Sequence, residues 1–444
     1  MENIILKFKN VAYEMIFQEK ISLGVHLFIK NVWNVFLGYG VAAFLIFLFE
    51  IINGKMLGPN EYGKYVLVAS VAGFLYLLML FGLNTAAVKF NSEKDDYQRQ
   101  CRIVSSSYLI IIIFSLALSF LFYIFSPQLS HLFSVPTYIF RLSILFAFSL
   151  ALYSLAVDML RGLHKIRSLS IFRLCYGILI IILLIFSMVS GFKGFIATVS
   201  VICLSYILLF FLITISMRRY FIFQFDKSWI SKFLMYGLYA VIGESCFIFL
   251  PGIIKIAVNK YLTTADLGVF NAYYFSSISV ALFLYSTFII VFFPAASKHQ
   301  NKEMVFKKVE RLSLFIVLAG LPFFLLTQTV VLLLMGKSYP INFYLIFLFA
   351  TTSVAMAIFG IYSWLFCSEG VKGLRIMAAV SACIFLVNIF FAVYIIPHWL
   401  MYGAIISLGL AYSAGICGFL FFKNSLLNSN EKIDKKILWE NQNF

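Results

Sequence analysis

Charge is scarce in this sequence. Asp, Glu, Lys and Arg supply 12% of its 444 residues, hydrophobic types supply 63%, and the mean hydropathy is +0.99. A soluble domain carries about 25% charged residues. Too little polar surface exists here to coat a water-soluble fold, so lipid must be the solvent for most of the chain. Alternating apolar and polar residues are also lacking. The apolar runs are continuous over ~20 residues, the length that carries a helix across ~30 Å of hydrocarbon. A barrel would need short alternating segments instead. Backbone groups in lipid must find partners inside the protein, so the sequence predicts an all-α polytopic membrane protein.

Other absences narrow the function. The seven Cys are scattered, with no CxxC or metal-ligand spacing, and the five His show no i,i+4 pair. Neither set predicts a metal site, and the Cys read as small packing residues. Gly336-Lys337-Ser338 has Val331 where a phosphate-binding loop needs glycine. No G-x-S-x-G, H-E-x-x-H or kinase set appears. The loops on one side are short, which leaves little room for polymerase or glycosyltransferase chemistry. The expectation is a transporter with no catalytic residues and no cofactor, with proton or sodium coupling left open. The first apolar run begins near Asn31 behind a polar stretch and is long enough to remain as a span, so no cleaved signal segment is expected.

What the chain does have is a net charge of +16. The charges fall in short loops, which points to topology and anionic headgroups rather than nucleic acid. Twelve spans are expected, near 31–53, 65–88, 103–126, 139–161, 168–190, 194–216, 231–254, 270–293, 312–334, 341–366, 373–396 and 400–422. One set of alternate loops holds only Lys55, Lys64, Arg141, Lys193, Lys255, Lys260 and Lys337. Nearly all the remaining Lys and Arg lie on the other side with the two ends, so both termini are expected in the cytoplasm. This divides the chain into an N-terminal segment (1–30), an N-lobe (31–216), a linker (217–230), a C-lobe (231–422) and a tail (423–444).

The chain also repeats itself. Residues 57–65 read LGPNEYGKY and residues 262–270 read LTTADLGVF, matching Gly63 to Gly268 at an offset of 205. Further on, Ala86-Ala87-Val88-Lys89 matches Ala295-Ala296-Ser297-Lys298 at an offset of 209. Two matches in the same order and topological place favour duplication of a six-span unit. An even number of spans gives both halves the same orientation, with substrate handled at the interface between lobes.

Ionisable residues inside the membrane cost ~2.5–3.5 kcal/mol on insertion scales, so each is a functional candidate. Glu244 lies deepest, in the seventh span. It reads either as an ion- or proton-coupling group or as a neutral hydrogen-bonded carboxyl. Asp158 and Arg173 lie near the cytoplasmic ends of spans four and five, where a structural pair between neighbouring helices is the bland alternative. Lys30, Lys89 and Lys298 enter spans from the cytoplasmic side, where they either contact substrate or snorkel to headgroups. Asn34 shares a helix face with Lys30. Glu50 and Lys255 sit near outer ends, Glu50 reading as interfacial.

The run Lys55-Met56-Leu57-Gly58-Pro59-Asn60-Glu61-Tyr62-Gly63-Lys64-Tyr65 resembles the "LGPxEYGxY" signature that opens Wzx-type polysaccharide flippases. These belong to the multidrug/oligosaccharidyl-lipid/polysaccharide (MOP) exporter superfamily. Phe81-Gly82-Leu83, Leu267-Gly268-Val269-Phe270, Pro294 and Arg161-Gly162 are similar to the same family. The resemblance implies two six-helix lobes around a cavity that opens alternately to each side. It implies a flippase for undecaprenyl-pyrophosphate-linked oligosaccharide in a bacterial inner membrane, serving O-antigen (lipopolysaccharide), capsule or exopolysaccharide synthesis. Membrane lipids, a polymerase and chain-length proteins are the implied partners. On this reading Lys30, Asn34, Lys89, Arg173, Lys255 and Lys298 hold the pyrophosphate and sugar, and Glu244 and Asp158 serve ion coupling. Relatives often carry Asp-Lys or Asp-Arg where this chain has Ile254-Lys255: the base is kept and the acid is missing. Two other readings stay open, a drug or small-solute antiporter of the same superfamily and a membrane polymerase or glycosyltransferase.

Overall fold

The computed structural model of the chain describes the backbone of residues 23–93, 96–222, 228–298 and 302–442. Within these, side chains are described from residue 40 to 423, apart from most of 223–248 and 290–302, residue 166 and residues 370–371. Among the described residues every regular element is a helix. In chain order these are α1 (Leu23–Leu80), α2 (Leu83–Ser92), α3 (Tyr97–Ile124), α4 (Ser126–Leu132), α5 (Thr137–Gly162), α6 (Ile166–Val189) and α7 (Phe195–Ser216). After them come α8 (Ser228–Tyr261), α9 (Thr264–Tyr274), α10 (Val280–Lys298), α11 (Lys302–Met335), α12 (Phe343–Cys367) and α13 (Gly370–Gln442).

Nine helices among the described residues are long and apolar enough to cross a membrane. Their outer faces carry bare apolar side chains: Phe120 and Phe186 are each 68% exposed and Phe421 is 78% exposed. In water such faces would be a liability, whereas lipid is their natural solvent. The inward faces carry small hydroxyl residues instead. Ser107, Ser143, Ser205 and Ser353 are buried and donate to the carbonyl four residues earlier. Each thereby satisfies its own hydroxyl and lets a neighbouring helix come close.

Two of the long helices are broken inside. α1 changes direction at Gly58 (φ 66°, ψ 172°), a conformation open essentially to glycine alone, and Pro59 then starts the second limb. The expected loop between the first two spans is therefore helical on both sides of a single residue. α13 breaks at Leu400 (φ 53°, ψ −129°), just after Pro397. The second span, expected to run to residue 88, ends at Leu80. Phe81 (φ 46°) and Gly82 (φ 65°) are both left-handed, and α2 then starts afresh. In the second copy of the repeat the corresponding helix carries a π-turn at Phe275–Ser279. There the hydroxyls of Ser276 and Ser277 both donate to the Tyr273 carbonyl. These different irregularities lie between the two matched segments, where the repeat offset changes.

The chain packs as two compact units. One is Gly38–Asn271 with Leu334–Tyr339; the other consists chiefly of Ala272–Leu333 and Pro340–Phe444. In the second unit, Asn342 caps α12 by accepting from the backbone N–H of Tyr344 and Leu345. Buried Gln328 there ties α11 to α12, donating to the carbonyls of Phe324 and Ile346.

Candidate functional site

Several polar side chains of the first unit form a lane across its helices. It starts where the two copies of the repeat meet. Gly63 on α1 and Gly268 on α9 cross backbone to backbone. A Cβ on Gly63 would lie 1.8 Å from the Thr264 carbonyl oxygen, and one on Gly268 would lie 2.0 Å from the Pro59 carbonyl oxygen. The contact is reciprocal, each glycine Cα resting on a carbonyl from the first turn of the opposite segment. Such approaches gain Cα–H···O and dispersion contacts that any side chain would forbid.

Glu50 braces this crossing. Its Oε2 accepts from the Tyr62 hydroxyl at 2.9 Å and its Oε1 accepts from the Tyr65 hydroxyl at 2.8 Å. The Tyr62 hydroxyl in turn accepts from Asn271 Nδ2 at 2.9 Å. Tyr62 is fully buried, with the Tyr339 ring edge-on to it, and the Tyr339 hydroxyl donates to the Gly54 carbonyl at 2.7 Å. Lys255 of α8 lies close enough to Glu50 for their charges to interact. The sequence marks Glu50 as interfacial; in the fold it is half-buried and joins both limbs of α1 to α9 through Tyr62. It lies near Lys255, whose neighbour in the chain is the apolar Ile254.

Further along the lane, Tyr65 lies near Tyr176 on α6 and Tyr206 on α7. Tyr176 and Tyr206 stack, with ring centres 5.3 Å apart and planes 6° from parallel. Tyr153 on α5 stacks on both, and its hydroxyl feels Arg173 and Asp158. Asp158 is buried at 8% exposure. Its Oδ2 accepts from Asn84 Nδ2 at 2.7 Å and its Oδ1 pairs with Arg161 at 3.3 Å, while Arg173 adds a longer-range attraction. A buried carboxylate needs this company, because losing one partner leaves the charge undercompensated. Replacing Asn84 by leucine is accordingly expected to cost about 1–3 kcal/mol. The check is the midpoint of thermal aggregation in detergent, which should fall; an unchanged midpoint would mean that Arg161 suffices for Asp158.

The sequence-selected residues are placed as follows. Lys255, Asp158 and Arg173 all lie on the lane. Lys89, on α2, is exposed with its ammonium 4.2 Å from the centre of the Tyr236 ring, a cation–π contact. The side chains of Lys30, Asn34, Glu244 and Lys298 lie outside the described residues. Among the described residues no cluster of His, Cys, Asp or Glu is arranged to hold a metal. Glu50, Tyr62, Tyr65, Asn271 and the Tyr153–Tyr176–Tyr206 trio are not among the site residues that the sequence marks. The signal for Tyr62 and Tyr65 was their position beside Gly63 in the repeated motif.

The described residues of this unit form apolar helices of membrane length that pack on glycines and enclose interacting polar side chains. Among solved structures the chain is similar to a multidrug resistance MATE family transporter of the MOP superfamily in an inward-facing conformation. That match has a TM-score of 0.69 and 16% identity, and covers 89% of this chain and 95% of that one. It is similar also to the lipid II flippase MurJ in an inward closed conformation (TM-score 0.61, 15% identity, 87% of each chain). A Pyrococcus furiosus MOP superfamily transporter matches with a TM-score of 0.58 at 17% identity, over 92% of this chain and 99% of that one. No curated protein matches the sequence. These likenesses show that the chain shares the fold of those proteins. The model of the polysaccharide biosynthesis protein family matches residues 28–300, more than half of the chain, and the chain belongs to that family.

Proposed function

We propose that the chain is a flippase that carries undecaprenyl-pyrophosphate-linked oligosaccharide across a bacterial inner membrane by alternating access, for O-antigen (lipopolysaccharide), capsule or exopolysaccharide assembly. Membership of the polysaccharide biosynthesis family carries this reading. The polar lane supports it. A sugar headgroup has many hydroxyls, each costing about 2–7 kcal/mol to bury unpaired, and a pyrophosphate costs more. A lane of tyrosine hydroxyls, a lysine and an arginine lowers that barrier while the lipid tail stays in the bilayer.

In this proposal twelve spans form two six-helix lobes (31–216 and 231–422), with both termini in the cytoplasm. Lys30, Asn34, Lys89, Arg173 and Lys298 hold the pyrophosphate at the cytoplasmic mouth, and Lys255 receives it at the outer end. Asp158 and Glu244 serve proton or sodium coupling. A polymerase and chain-length proteins take the product.

The test is a gene deletion followed by analysis of undecaprenyl-linked sugars with their membrane sidedness. Completed repeat units are expected to accumulate on the cytoplasmic face, with surface polymer lost. Incomplete units would assign the protein to glycan synthesis, and single units on the outer face would assign it to polymerisation. An unchanged lipid pool would favour a small-solute antiporter.

A further inference from the structure

Phenylalanine outnumbers tyrosine in this chain by 52 to 25. A ring that only packs between helices does so more cheaply without a hydroxyl, which is costly to bury unpaired. Yet on three consecutive helices three tyrosines pack ring to ring, with the Phe146 ring edge-on to Tyr206. The ring centres of Tyr153, Tyr176 and Tyr206 lie 5.7, 5.1 and 5.3 Å apart, and their planes are within 27° of parallel. All three are half-buried, so each packed ring keeps some accessible surface. Arg173 stands one helical turn before Tyr176 and, with Asp158, acts on the Tyr153 hydroxyl.

Near-parallel aromatic faces rimmed by hydroxyls and bordered by a cation and an anion suit one class of ligand. A pyranose ring has an apolar C–H face to lie against an aromatic surface and a rim of hydroxyls that both donate and accept. An apolar drug has no use for the hydroxyl rim, and a small inorganic ion has no use for the rings. We infer that Tyr153, Tyr176 and Tyr206 form a carbohydrate-stacking subsite that takes one hexose or N-acetylhexosamine ring of the lipid-linked oligosaccharide. The inference rests on the flippase reading and adds to it the place where sugar, rather than pyrophosphate or lipid, is recognised.

The test uses the full chain in lipid nanodiscs and two probes, bare undecaprenyl pyrophosphate and the same lipid carrying a single N-acetylglucosamine. The readout is the ratio of their dissociation constants. In the unaltered protein the sugar-bearing lipid is expected to bind about tenfold tighter, the worth of one good ring contact. Tyr206→Leu removes a face of the cluster and should bring the ratio close to one. The double substitution Tyr176→Phe, Tyr206→Phe keeps the rings, removes two hydroxyls and should lower the ratio about threefold. If Tyr206→Leu does not reach the membrane, the phenylalanine variant decides alone. Binding of the bare lipid, with a ratio of one in the unaltered protein or a ratio untouched by these substitutions, overturns the subsite and leaves the flippase reading standing. Failure of the unaltered protein to bind either lipid overturns both.

Discussion

Alanine at Gly268 is expected to abolish transport while leaving the protein in the membrane. The added Cβ would sit 2.0 Å from the Pro59 carbonyl oxygen and 3.0 Å from the Gly63 nitrogen, and both obstacles are backbone. A side chain could swing aside; here α9 and the second limb of α1 would have to separate by more than an ångström. Overpacking a tight contact costs about 1–3 kcal/mol where side chains can adjust, and more where they cannot. At about 3 kcal/mol the population of the crossed arrangement falls on the order of a hundredfold. Gly63→Ala should behave alike, because its Cβ meets the Thr264 carbonyl oxygen at 1.8 Å. Gly54→Ala is the control. Its nearest obstacle is the Met335 methyl at 2.9 Å, the free end of a flexible chain. The measurement is surface polysaccharide restored to a deletion strain, normalised to membrane protein level. Full restoration by Gly268→Ala would show that transport does not pass through this crossing.

How much of this could be read from the sequence differs between fold and site. Apolar runs of membrane length specify helices with little ambiguity, because lipid leaves the backbone no other way to satisfy itself. The glycine pair was visible as a repeated motif, Gly63 matching Gly268 at an offset of 205. Its reciprocal contact was not, because the pattern says nothing about which surfaces meet. Asp158 and Lys255 stood out as ionisable groups where such groups are costly. Glu50 is equally ionisable, but its place near a helix end allowed a bland interfacial role. Its partners Tyr62, Tyr65 and Lys255, with Asn271 behind Tyr62, come from three helices, and only packing brings them together. The tyrosine trio is spread over α5, α6 and α7 with no shared period. Among so many aromatic residues, three more rings carry no one-dimensional signal.

Glu50→Ala is expected to be the most damaging single substitution on the lane outside the glycine crossing. It removes the acceptor of two phenol hydroxyls, and each buried donor left without its acceptor costs about 1–3 kcal/mol. It also withdraws a negative charge from the neighbourhood of Lys255. Glu50→Gln separates the two effects, because it keeps an acceptor for a phenol while losing the charge. Lys255→Met removes the positive partner at similar volume. If Glu50 and Lys255 act as a pair, the double variant Glu50→Gln, Lys255→Met loses less than the sum of the single losses. The coupling should be about 1–3 kcal/mol in apparent stability, as for residues sharing one buried network. Transport by the same four proteins should show the same non-additivity, about tenfold or more. Additive losses within about 0.5 kcal/mol would mean that Glu50 serves only Tyr62 and Tyr65. Lys255 would then act independently of Glu50.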